Sequence, residues 1–184
     1  MKKSVLKVQM FGSYEIEYEG NPVSFERNTT TKTNQLMQIL LQAGEKGVTR
    51  AKLLSDLFGN EEMSNPANSL RATVFRLRRL LAAAGLPEDE YVTIRGGSYY
   101  WTSAIPYELD AHQFEDLLDK AGKENDPEKK KSYIEEACEL YRGEFLPQLG
   151  AEGWAVVLNV YYKNLFSIVI NESAPYSPHM ESIL

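Results

Sequence analysis

The stretch from Asn65 to Leu81 limits what this chain can become more than any other. It reads Asn-Pro-Ala-Asn-Ser-Leu-Arg-Ala-Thr-Val-Phe-Arg-Leu-Arg-Arg-Leu-Leu. Asn65 suits a helix N-cap, because its side-chain oxygen can accept from an orphan amide of the first turn. Pro66 follows at the first helical position, where its fixed φ fits and its missing N–H costs nothing. Leu70, Val74, Leu77 and Leu81 recur at i, i+4, i+7 and i+11 and so share one face. Asn68, Ala72, Phe75, Arg76 and Arg79 fall on or near the opposite side. The helix carries Arg71, Arg76, Arg78 and Arg79, and no acid stands between Met63 and Pro87. An amphipathic helix with a cationic outer face suits a major groove lined by phosphates. It equally suits plain solvation, and this helix alone leaves both readings open.

The flanking elements narrow the choice. Val5, Leu6, Val8, Met10 and Phe11 make an apolar-rich strand, and Tyr14, Ile16 and Tyr18 alternate with Glu15, Glu17 and Glu19. Gly20-Asn21 signals a turn, and Val23 and Phe25 alternate beyond it, which predicts a small antiparallel sheet with one wet face. Asn28 to Thr33 reads as a polar loop. Leu36, Ile39, Leu40 and Ala43 have helical spacing, with Gly44 as a left-handed cap. Thr49 caps a second helix with Leu53, Leu54, Leu57 and Phe58, closed by Gly59. The arginine helix ends near Gly85-Leu86-Pro87. Val92 and Ile94 then alternate with Thr93 and Arg95, Gly96-Gly97-Ser98 turns, and Tyr99 to Thr102 returns as a strand.

A small sheet, three helices and a hairpin describe an α+β fold, a winged helix-turn-helix. The third helix, residues 66–82, has the only cationic outer face and is the candidate for the major groove. The hairpin, residues 92–102, carries Arg95 beside a tight turn, where a guanidinium can reach the flanking backbone or minor groove.

Charge distribution agrees with that division. The net charge is −6, but residues 1–104 hold 13 Lys and Arg against 11 Asp and Glu, a balance of +2, whereas residues 105–184 hold 7 against 15, a balance of −8. An acidic second half repels non-specific DNA while leaving a basic face on the first half usable. The 184 residues suffice for one large or two small domains, and 43% hydrophobic with 25% charged is ordinary for a globular protein. No run of 18 apolar residues occurs, so no membrane span or membrane partner is expected. Cys138 is the single cysteine, which excludes an internal disulfide and fits cytoplasmic residence.

Here the sequence resembles a family. Residues 5–104 look like an OmpR/PhoB-type winged helix, most closely the version in SARP-type bacterial transcriptional activators. Gly20-Asn21-Pro22-Val23 is similar to that family's turn between its opening strands. Val48-Thr49-Arg50-Ala51-Lys52-Leu53-Leu54 resembles its second helix, Asn68-Ser69-Leu70-Arg71 with Arg76-Leu77-Arg78-Arg79 its recognition helix, and Thr93-Ile94-Arg95-Gly96 with Tyr99 its wing. The resemblance implies DNA contacts from Asn68, Arg71, Thr73, Arg76 and Arg78 on the helix and from Thr93 and Arg95 on the wing. Arg79 joins them as part of the cationic face. Three positions depart from the pattern. Ser98 stands where the wing usually has a second glycine, and Phe58 where the second helix often ends in tryptophan. Phe75 occupies a commonly polar position, where it either meets a thymine methyl or packs against another part of the domain.

The second half begins at Tyr107. Asp110 and Gln113 form a capping-box pattern. Phe114, Leu117, Leu118 and Ala121 line a helix closed by Gly122, and Asp126-Pro127 starts another with Ile134, Ala137, Cys138 and Tyr141, ending at Gly143. Trp154, Val157, Leu158, Tyr161, Leu165 and Ile168 line a third. Paired helices in about 34 residues have the size of a tetratricopeptide unit. Glu108-Leu109-Asp110 through Phe114, then Tyr141-Arg142-Gly143-Glu144-Phe145-Leu146 and Trp154, resemble the start of the bacterial transcriptional activator domain that follows the winged helix in the same family. The expected organisation is therefore a winged helix at 1–104, a partial all-α, TPR-like domain at 105–170 and a mobile tail at 171–184. In that family the helical domain continues. Either the chain is a shortened piece, then, or its last helix pairs with another subunit.

No catalytic constellation stands out. His112 and His179 are isolated from each other and from Cys138, Gly96-Gly97 lacks the Lys-Ser/Thr of a phosphate-binding loop, and Asp89/Glu90 lie in a turn. No enzyme, cofactor or metal is expected. The sequence reads first as a sequence-specific regulator that binds double-stranded DNA, an activator by resemblance, with RNA polymerase or a second copy as protein partner. The alternative is a TPR-like interaction adaptor whose winged helix no longer reads DNA.

Overall fold

The computed structural model of the chain describes residues 4–24, 28–59 and 65–173. In chain order the elements are β1 (Leu6–Gln9), β2 (Glu15–Tyr18), β3 (Asn21–Pro22), α1 (Lys32–Ala43), β4 (Val48–Thr49), α2 (Arg50–Phe58), α3 (Pro66–Ala83), β5 (Val92–Arg95), β6 (Ser98–Trp101), β7 (Tyr107–Leu109), α4 (Asp110–Lys123), α5 (Pro127–Leu140) and α6 (Gly153–Ser173). One sheet has the order β3-β2-β1-β7 and the other β4-β6-β5. The chain divides into two compact units, Met1–Lys7 with Ile16–Tyr107 and Val8–Glu15 with Glu108–Leu184. The second unit thus takes in an N-terminal segment that a division at residue 104 assigns to the first.

In the first unit, β2 and β3 form a hairpin in the register Tyr18↔Asn21. Its turn residues are Glu19 and Gly20, both at positive φ (52° and 79°), one position earlier than the Gly20-Asn21 signal. Phe25, read as strand, lies outside the described residues. Helix α1 starts at Lys32, inside the segment read as loop, because Thr31 caps it by accepting from the Asn34 N–H. Its first turn is polar yet buried, so apolar periodicity does not see it. Asn34 Nδ2 donates to Asn28 O at 3.0 Å and Gln35 Nε2 to Thr30 O at 2.9 Å, closing the preceding loop onto the helix. Gly44 ends α1 at φ 57° and ψ −136°, outside the left-handed helical region, and a 3-10 turn follows. Thr49 caps α2 as expected, accepting from Lys52 N–H. The core of the unit is built from Leu36, Leu40, Leu53, Leu57, Leu70, Leu77, Leu81 and Val92, all fully buried. At about 1.5–3 kcal/mol per buried aliphatic side chain, this cluster is the main force holding α1, α2 and α3 together.

In the second unit the hub is Phe11. It has no exposed surface, and its ring lies 5.6 Å from that of Phe114, 4.9 Å from Tyr141, 6.3 Å from Phe145 and 5.2 Å from Tyr162. Tyr141 stacks on Phe166 at 4.1 Å. The segment around Phe11 pairs with the chain after α5: Gly12 N–H donates to Glu144 O, and Leu146 N–H to Met10 O. Gly12 (φ 78°) is required there, since a Cβ would come within 2.7 Å of Arg142 O. Asp110 does not act as a helix cap: the N-cap is Leu109, and the carboxylate instead accepts from the Met10, Phe11 and Ala111 amides. Helix α4 runs one residue beyond Gly122, to Lys123, and α5 ends at Leu140.

The buried side of α6 is Trp154, Ala155, Tyr162, Phe166 and Val169, whereas Val157, Tyr161 and Ile168, expected inside, are exposed with Val156 and Val160. This helix is apolar on nearly all sides, so spacing alone cannot choose the inner one. Over Gly153–Asn171 it is long and apolar enough to cross a membrane by length and composition, although Asn159, Lys163 and Asn164 interrupt it. Most of the proposed tail, residues 174–184, lies outside the described residues, while α6 runs to Ser173.

Candidate nucleic-acid interface

Helix α3 is started as its sequence requires. Asn65 Oδ1 accepts from the Asn68 N–H at 3.1 Å, and Pro66 fills the first position. Leu70, Val74, Leu77 and Leu81 are buried, which turns the opposite side outward. On that outer side lie Asn68, Ala72, Phe75 and Arg79, with Arg71 and Arg78 along one flank and Arg76 along the other, all exposed. Among the described residues Arg71, Arg76 and Arg79 make no ion pair.

Two residues of the expected set are placed differently. Thr73 is only 4% exposed and donates its hydroxyl to Ser69 O at 2.8 Å. It stands three residues from Leu70 and four from Leu77, so helical geometry puts it on the inner side, and it is not available to a ligand. Arg78 is exposed but engaged. Its Nη2 donates to Val92 O at 2.7 Å and lies 3.7 Å from the Glu90 carboxylate, which ties α3 to β5.

The hairpin β5–β6 pairs Val92↔Trp101 through Arg95↔Ser98. Gly96 and Gly97 turn it with φ of 56° and 79°, the geometry of a two-residue type I′ turn. Arg95 is exposed, and its guanidinium lies over the Tyr100 ring, 4.7 Å from the centroid. The other support of that ring is Gly47 (φ 64°), where a Cβ would come within 2.3 Å of Tyr100. Only a glycine lets the chain pass so close. Thr93 is half-buried and shares a hydrogen bond with the Thr102 hydroxyl. Ile94 is exposed, contrary to simple alternation, because it lies toward the hairpin tip beyond the body of the unit.

Strand β4, too short to be read from alternation, pairs with β6 in the register Val48↔Tyr99 and Thr49↔Ser98. The Arg50 N–H donates to Gly97 O at 3.0 Å. The wing turn is thereby fixed to the start of α2, and Arg50 stands beside it as a further exposed cation. The only sequence signal for Arg50 is a basic residue directly after a helix cap. At the base of the hairpin, Asp89 accepts from the Ala104 N–H, the Ser103 hydroxyl and the Glu90 N–H. The Ala104 bond above all holds its carboxyl below the usual value. Burial pushes the Tyr91 hydroxyl up to about 12.

The unit therefore offers a helix face on which Arg71, Arg76 and Arg79 are exposed and make no ion pair among the described residues, and a hairpin bearing Arg95. Among the described residues no group of three or more His, Cys, Asp or Glu could hold a metal ion.

Residues 26–101 match the protein family described as "Transcriptional regulatory protein, C terminal". The chain is 35% identical over 86 residues to Protein RcaC of Microchaete diplosiphon, a match taking in 47% of this chain and 12% of that protein. Its fold is similar to that of Mycobacterium tuberculosis EmbR, solved in complex with a low-affinity phosphopeptide. The TM-score is 0.70 at 17% identity, over 92% of this chain and 44% of that one. The chain thus spans less than half of the length of either protein. Residues 26–101 are a domain of that regulatory family, the OmpR/PhoB-type winged helix that the sequence resembles. The fold is α+β with a helical segment following. The matched family is of the transcription-regulator type.

Proposed function

We propose that the chain is a sequence-specific regulator of transcription that binds double-stranded DNA and acts as an activator in the cytoplasm. Helix α3 enters the major groove with Asn68, Arg71, Arg76 and Arg79. The hairpin sets Arg95 on the flanking backbone or minor groove, and Thr93 and Arg78 support the hairpin, Arg78 through its bond to Val92 O. The single observation that carries this reading is the outer face of α3: Arg71, Arg76 and Arg79 are exposed and make no ion pair among the described residues, on a helix whose inner face is buried. Duplex phosphates are the ligand such a face fits. The winged helix is one domain of 1–104, and the helical part, taken as 105–170 in sequence, contacts protein: RNA polymerase, or a second copy of the chain.

The test is the salt dependence of binding to random and to selected duplexes. A DNA reader gives a steep fall of affinity with salt and a clear preference for the selected site. Little binding at any salt would reject this function and favour an interaction adaptor, a reading to which the exposed Val157, Val160 and Ile168 of α6 lend some support.

A further inference from the structure

Among the described residues of the first unit Phe75 is the most exposed large apolar one, 62% accessible, and it stands near the middle of the outer face of α3. Of the two roles its sequence position leaves open, packing within the domain is removed by that exposure. An isolated exposed ring is ordinary on a protein surface. The setting of Phe75 is not. Arg71 and Arg79 lie one turn to either side on the same stripe, and the Arg79 guanidinium lies 5.9 Å from the ring centroid. A protein partner that buried this ring would have to desolvate those guanidiniums or supply carboxylates. A duplex supplies phosphates around the same footprint. Within the major groove the one apolar feature of the base edges is the 5-methyl of thymine. A phenyl ring has neither donor nor acceptor with which to read anything else there.

We infer that Phe75 is a specificity-determining residue that recognises the 5-methyl group of a thymine, at a position read by shape and apolar contact rather than by hydrogen bonds. This rests on the proposed placement of α3 in the major groove. It adds to it an assigned base, A·T with the thymine methyl facing the helix, at the point where the arginines flanking Phe75 meet phosphate or guanine.

The test uses the full chain and a duplex selected by it from a random library. Each thymine of that duplex is replaced singly by deoxyuridine, which removes only the methyl group. Binding of the wild type and of Phe75→Ala is then titrated, with circular dichroism confirming that the exposed substitution leaves the fold intact. One thymine is expected at which deoxyuridine weakens wild-type binding about fourfold, the value of one buried methyl. Phe75→Ala should show no difference between the two bases there and an unchanged salt slope. The same discrimination in wild type and variant overturns the assignment. So does a wild type indifferent to every thymine methyl, or a variant weakened by one common factor on selected and random duplexes alike. A wild type that shows no salt-dependent binding to any duplex fails the placement of α3 itself, an outcome distinct from these.

Discussion

Asp110 holds Met10 by its backbone: both carboxylate oxygens lie 2.9 Å from the Met10 amide nitrogen, across 100 residues of sequence. Oδ2 also lies 2.9 Å from the Phe11 nitrogen, and Oδ1 2.8 Å from that of Ala111. One carboxylate therefore satisfies three amides beside the ring on which the second unit is built. Asp110→Ala orphans all three and should destabilise that unit by about 2–4 kcal/mol, since each buried donor left unsatisfied costs about 1–3 kcal/mol. Urea unfolding followed by circular dichroism reads the loss. A change below about 1 kcal/mol would mean that water replaces the carboxylate at no cost.

The same carboxyl makes stability depend on pH. Burial pushes it above its ordinary value, against the pull of the Phe11, Met10 and Ala111 N–H groups and of Arg142. The folded chain therefore keeps this proton at pH values where the unfolded chain has released it. By linkage, the contribution of Asp110 is greatest below the ordinary carboxylate value and declines as pH rises through the raised one. Asp110→Asn removes the titration. The stability of wild type minus Asp110→Asn should fall as pH rises above the ordinary carboxylate value of about 3.9. A difference that rises or stays flat contradicts the raised value.

The sequence discloses the elements whose burial is periodic and whose ends are capped. Asn65, Pro66 and the Leu70–Leu81 spacing specify α3 almost to the residue. Thr49 and Asp126 mark the starts of α2 and α5 in the same way. What stays hidden has physical causes. Phe11 reads as one more strand residue because nothing local tells which core receives it. Helix α6 is apolar all round, so its inner face is chosen by partners and not by spacing. Strand β4 is two residues long and exists through pairing with β6. Within the interface, the exposure of Arg71, Arg76 and Arg79 follows from the helical period. The same period, applied strictly, would also have put Thr73 inside. The bond from Arg78 to Val92 is a tertiary contact that no spacing contains.

Arg76 and Arg78 should separate in experiment although they stand two residues apart. Arg78→Ala removes a charged donor from Val92 O and should lower the stability of the first unit by about 1–2 kcal/mol. Arg76→Ala should leave stability within about 0.5 kcal/mol, since it removes an exposed side chain that has no partner among the described residues. On a selected duplex, Arg76→Ala is expected to cost about 1–3 kcal/mol of affinity and to flatten preference at one base. Thermal unfolding and gel-shift titration of the two variants decide. Equal stability losses, or an unaltered site preference in Arg76→Ala, would contradict the assignment.

Arg95 stands on the hairpin, outside the helix face, and of its two proposed placements the flanking backbone makes the sharper prediction. Arg95→Ala should weaken binding by a similar factor on selected and random duplexes and reduce the magnitude of the salt slope by about one. A loss confined to the selected sequence would make Arg95 a base or shape reader instead.

That arginine is held in turn by a residue outside the hairpin. Its guanidinium rests on the Tyr100 ring, and the ring rests against Gly47. Gly47 has φ 64° and ψ −177°, a region that residues with a Cβ avoid at a cost of about 1–3 kcal/mol. Gly47→Ala adds to that strain a collision with the ring. The first unit should therefore lose more stability than backbone strain alone explains, and Tyr100→Ala in the same chain should recover the excess. In a double-mutant cycle the two substitutions should cost less together than the sum of their separate effects, by at least about 0.5 kcal/mol. Gly47→Ala should also share part of the Arg95→Ala defect on random duplex, because the displaced ring no longer positions the guanidinium. Additive stabilities, with Gly47→Ala binding random duplex like wild type, would show that Gly47 serves the turn alone and that the wing arginine positions itself.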